Sequence, residues 1–74
     1  MKILAKIEQD FDDGIKYLII ETDEKNTGGC YLFFHQSLDE PCEADLWFPN
    51  IEGAKKQANF NYGIDFEMWM DYDE

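Results

Sequence analysis

The sequence predicts a small α+β domain: an antiparallel meander of three strands, a further strand expected at the C-terminus, and one α-helix packed on one sheet face. Three observations carry this. Period-two alternation of apolar residues fills the first half of the chain, where each repeat places one set of side chains on one face. A helix with a start and a stop signal occupies residues 50–63. Period-two alternation then returns from Ile64 onward.

In the first strand Ile3, Ala5 and Ile7 alternate with Lys2, Lys6 and Glu8. Leu4 interrupts the polar side, which implies partial cover there. Asp10–Gly14 reads as a turn, because aspartate bonds its own backbone and glycine takes a positive φ. Ile15–Thr22 is the second strand, β-branched and apolar on both sides, as a central strand is. A polar loop, 23–29, leads to a third strand, Cys30–His35. There Cys30, Leu32 and Phe34 face one way and Tyr31, Phe33 and His35 the other. Pro41 argues against regular pairing in 36–44, and Asp45–Phe48 reads as a short extended piece before the helix.

Asn50 is placed to cap the helix through its side-chain oxygen, and Glu52 suits the positive end of the helix dipole. Ile51, Ala54, Ala58 and Tyr62 share one face, with alanines that let a helix sit close to a sheet. Gly63 fits the left-handed closing residue, and Ile64 folds back on the last turn. Beyond it Ile64, Phe66, Met68, Met70 and Tyr72 alternate with Asp65, Glu67, Trp69, Asp71 and Asp73, which reads as a strand. The same letters also suit a short helical turn around Phe66 and Trp69.

Seventy-four residues make one domain, 1–74, that buries only about 60% of its unfolded surface. Six lysines stand against seventeen acids with no arginine, a net charge of −11. Such a chain lacks the basic face that phosphate contacts need, so no direct nucleic-acid binding is expected, nor an anionic membrane surface. No run reaches the roughly 20 apolar residues of a membrane span. No signal peptide is recognisable, and the expectation is a reducing cytoplasm with Cys30 and Cys42 as free thiols.

No catalytic, cofactor or metal residues are expected. Cys30, His35 and Cys42 are five and seven residues apart, unlike the close pairs of zinc sites, and Cys30 and His35 point to opposite sides of one strand. The same facing separates a Cys–His nucleophile pair. Asp10, Asp12 and Asp13 resemble the start of a calcium loop, yet Gly14 arrives one position too early. Phosphate loops, nucleophile elbows and H-E-x-x-H are absent from the sequence, and an enzyme is not expected.

Two features point to a protein partner. Residues 38–74 hold ten acids against two lysines, a net of −8, while residues 1–37 carry −3. An acidic surface keeps a small domain soluble and also recruits basic partners. Phe60 lies opposite the Ile51–Ala54–Ala58 face, and exposed aromatics are favoured interface anchors. Its alternative place is tucked beneath Trp69 or the loop before Asn50. The expected partner-binding residues are Phe60, Asp65, Glu67, Trp69 and Asp71, addressed to a basic protein. The other reading is a self-associating module, so monomer and homodimer both stay open.

The run Trp47-Phe48, Ile51, Ala54, Ala58, Tyr62-Gly63-Ile64, with Trp69 after it, resembles small bacterial proteins of unassigned function. These carry W-F-x-(T/S)-x-E-E-A-x-x-x-A-x-x-x-Y-G-I behind a hairpin-rich sheet. The likeness covers the last third of the chain and implies the sheet-plus-helix fold. Its motif is a helix start and stop, and it brings no catalytic residues. Pro49 and Gly53 depart from the pattern's helix formers, and glycine costs roughly 1 kcal/mol against alanine inside a helix.

Overall fold

A computed structural model describes residues 1–72. The elements follow as β1 (Lys2–Lys6), β2 (Tyr17–Asp23), β3 (Gly29–His35), β4 (Ala44–Phe48), α1 (Ile51–Tyr62), a 3-10 turn (Phe66–Met68) and β5 (Met70–Asp71). The strands form one antiparallel sheet in the order β4-β3-β2-β1-β5, with α1 packed on one face.

Short connections dictate the meander. Between β1 and β2, Gly14 at φ 75° closes the turn and its N–H donates to Phe11 O at 3.0 Å. Asp13 Oδ1 accepts from Ile15 N at 2.9 Å, the local aspartate bond that favours such turns. Register then places Ile3 opposite Ile20, Ala5 opposite Leu18, Ile20 opposite Leu32, and Cys30 opposite Phe48. Their side chains share the face that α1 covers. Leu18, Ile20 and Leu32 have no exposed surface there, and each contributes about 1.5–3 kcal/mol of apolar transfer energy.

The helix keeps its expected bounds and caps. Asn50 Oδ1 accepts from Gly53 N at 2.9 Å, and Gly63 at φ 69° donates its N–H to Asn59 O at 2.8 Å. Ala54 and Ala58 are fully buried against the sheet. A larger side chain there would lift the helix off its aliphatic floor.

Two elements differ from the sequence reading. Asp45–Phe48 is part of a complete fourth strand, paired with β3 along five residues. The C-terminal strand shrinks to Met70 and Asp71, paired with Leu4 and Ile3. The reason lies in what precedes it. Gly63 turns the chain so that Ile64, 1% exposed, enters the core. Met68 N then donates to Asp65 O at 3.0 Å and Asp65 N approaches Met68 Sδ at 3.4 Å, which closes a turn where alternation alone reads as a strand. Asp73, the end of that alternation, lies outside the described residues.

Candidate partner-binding surface

The five residues expected to meet a partner are spread over α1, the connection that follows it and β5. Phe60 is 85% exposed on the outer side of α1, so it is tucked beneath neither Trp69 nor the loop before Asn50. It borders a recess of about 430 Å3 at the C-terminal end of the helix, shared with Glu8, Phe11, Ile64 and Met68. That end carries no basic residue in its last turn, so the negative pole of the helix dipole is uncompensated by its own helix. Asp65 and Glu67 are exposed in the connection after the helix, beside Phe66, whose ring lies 5.6 Å below Lys55 Nζ. Asp71 is exposed on β5, at the edge of the sheet farthest from β4. Trp69 is partly buried against the core, and its indole N–H is buried without a hydrogen-bond partner among the described residues.

A second surface, on the β4 side, escaped the sequence reading. β4 is an edge strand whose outer side pairs with no strand among the described residues. Leu46 is 45% exposed although its register opposite Leu32 places it on the helix side. A groove of about 380 Å3 therefore runs beside the end of α1. Ile15, Phe34, Ala44 and Leu46 line it with apolar surface, Tyr62 forms a wall, and Asp13 and Glu43 add carboxylates. Its one legible signal was Leu46 and Trp47 beside Glu43 and Asp45, apolar on both faces yet acidic, which is the composition of an edge.

Charge within the groove is fixed by local bonds. Tyr62 Oη donates to Asp13 Oδ2 at 2.5 Å. This bond, with that from Ile15 N, holds the Asp13 carboxyl below the usual carboxylate range. Burial first, then Asp13, raises the Tyr62 hydroxyl well above an ordinary tyrosine. Lys16 pairs with Asp10 in the same turn and lowers its pKa by hydrogen bonding and charge. Asp13 thus stays ionised beside an apolar floor.

The sheet face away from α1 is aromatic. Tyr31 and Phe33 stack with centroids 5.9 Å apart. The Trp47 ring lies over Gly29, where an added Cβ would come within 2.6 Å of it, and Trp47 Nε1 donates to Thr27 Oγ1 at 2.8 Å. His35 Nδ1 donates to Glu40 O at 3.2 Å, and His35 and Cys42 border a shallow dent above Ile19. Cys30 lies on the opposite, helix-covered face, where burial raises its thiol pKa. The sheet therefore separates Cys30 from both His35 and Cys42, and both cysteines are free. Among the described residues no helix is long and apolar enough to cross a membrane.

No family model, curated protein or solved structure matches the chain.

Proposed function

We propose that this chain is a non-enzymatic protein-binding module of a reducing cytoplasm, which engages a basic protein through the acidic surface of residues 38–74. One concrete form is an immunity or inhibitor protein set against an enzyme that acts on nucleic acid, where carboxylates on a rigid sheet occupy a phosphate-binding cleft. The observation that carries the reading is the pairing of exposed apolar side chains with excess negative charge. Phe60, Phe66, Met70, Leu46 and Trp47 all stand exposed on a chain of net charge −11. Apolar anchors supply affinity, and the charge supplies encounter rate and choice of partner.

A basic protein captured on the immobilised chain is expected to leave at a defined salt concentration, because screening weakens the attraction. Reversing Asp65, Glu67 and Asp71 to lysine should slow its association. Association unaltered by both salt and that triple reversal would contradict the reading. The self-associating alternative is favoured by one observation, an edge of β4 that pairs with no strand among the described residues.

A further inference from the structure

We propose that β4 is the seat of the basic partner, and that it receives an extended segment with alternating apolar and Lys or Arg residues as a sixth strand. The inference rests on the basic-partner reading for the sign of the ligand's charge, and adds where and in what form it binds. Two independent observations converge on this edge.

The first is the backbone. β4 is five residues long, and Ala44–Phe48 contains neither lysine nor proline, the residues that usually blunt an exposed edge. The opposite edge, β5, is two residues long and offers little to pair with. An added strand would take up the free N–H and C=O groups of β4, as in other cases of strand addition.

The second is the different chemistry of the two sides of that edge. On the helix side, the groove over Ala44 and Leu46 is floored by Ile15 and Phe34, so alternate apolar side chains of the incoming strand would fill it. On the other side stand Asp45 and Trp47, placed by their register opposite Phe33 and Tyr31. A lysine or arginine there meets a carboxylate and an aromatic face together, a pairing that favours cations. Asp13 and Glu43 border the groove and favour a further cation at its end.

A second copy of the chain fits poorly. Antiparallel pairing of β4 with itself about Leu46 would set each Asp45 opposite the other copy's Trp47 and diagonal to its Asp45, between two chains of net charge −11. Repulsion between two chains of that charge opposes the pairing.

The test is titration of the 15N-labelled full chain with the peptide acetyl-VKVKVKV-amide at low salt, read by amide shifts and amide exchange. The acidic peptide acetyl-VEVEVEV-amide and the interrupted acetyl-VKVPVKV-amide serve as controls. Shifts centred on residues 43–48, with slowed exchange of β4 amides and weaker binding by both controls, are expected. Asp45→Lys should weaken the peptide about ten-fold, as loss of a close charge partner does. Leu46→Lys should abolish binding, while Glu8→Lys, after β1 and away from β4, should leave the footprint in place. Each variant's peptide-free spectrum reports whether it has folded, and the milder Asp45→Asn replaces Asp45→Lys if that one has not. Shifts centred on residues 65–71 would overturn the β4 site and leave the basic-partner reading standing. Equal binding of the proline peptide would overturn strand addition. A chain that ignores the cationic peptide altogether would overturn the basic-partner reading as well.

Discussion

Within β3 the two faces of the sheet are similarly apolar in sequence and behave differently in the fold. In β3, Cys30, Leu32 and Phe34 alternate with Tyr31, Phe33 and His35, and neither set looks like the solvent side. The helix-covered side is largely aliphatic, with Ala5, Leu18, Ile20 and Leu32 fully buried in one core with Ala54 and Ala58. The open side covers itself. Its rings lie along the sheet, Trp47 over Gly29 and Tyr31 against Phe33, while the loop bearing Leu38 and Cys42 borders the dent above Ile19. Close approach of a helix demands small and branched residues, whereas a face without a helix is shielded by large flat ones.

Adjacent residues of β2 give the strongest test of that difference. Ile20 is fully buried under the helix, and Ile19, 7% exposed, faces the open side. Ile20→Ala should cost about 2–5 kcal/mol, since packed surroundings relax only partly around a cavity. Ile19→Ala should cost about 1–2 kcal/mol, because water can enter from the dent above it and less apolar surface is lost. Urea unfolding of both variants gives the two values, and equal losses would break the distinction between the faces.

Gly29→Ala probes how the open face shields itself. The new Cβ would lie 2.3 Å from Phe48 O and 2.6 Å from the Trp47 ring, so backbone and indole must both move. A loss of about 1–3 kcal/mol is expected, with a change in tryptophan fluorescence as the Trp47 bond to Thr27 is disturbed. Unchanged fluorescence and stability would mean that the ring is not held over the glycine.

The smallest effect is at the end of the covered face, where Tyr62 packs edge-on to Phe11 with centroids 5.0 Å apart and bonds Asp13. Asp13 has a lowered pKa in the fold. Its stabilising contribution is therefore present above the unfolded value near 3.8 and is lost as pH falls through the folded value. Tyr62 has a raised pKa. Its contribution is present below the unfolded value of 10.0 and is lost as pH rises through the folded one. Tyr62→Phe should raise the Asp13 pKa in a carboxyl titration and cost under about 1 kcal/mol, since the carboxylate is largely exposed to screening solvent. An unmoved Asp13 titration would sever the link.

Much of the fold was legible because its signals are local. Asn50, the Ala54–Ala58 face and Gly63 each act within one or two turns, and the helix formed where they place it. The facing of β3 followed from its alternation alone. For 64–72 the sequence allowed both a strand and a short helical turn around Phe66 and Trp69. The fold uses both, a 3-10 turn at Phe66–Met68 and a strand of two residues, and alternation alone does not decide where one gives way to the other. For the candidate surface, exposure of Phe60 was legible from the helical wheel. Burial of Trp69 was not, because it depends on β5 lying beside β1. The groove over β4 depends on where the helix stops covering the sheet, a relation between distant segments that no local pattern encodes.

Sedimentation velocity of the full chain, over a wide concentration range at low and at moderate salt, tests most directly whether its open surfaces address a foreign basic chain. The expectation is a monomer throughout, because two copies of net charge −11 repel. A dimer that strengthens as salt screens the charge, and that dissociates on Leu46→Lys, would contradict it and make β4 a surface for self-assembly.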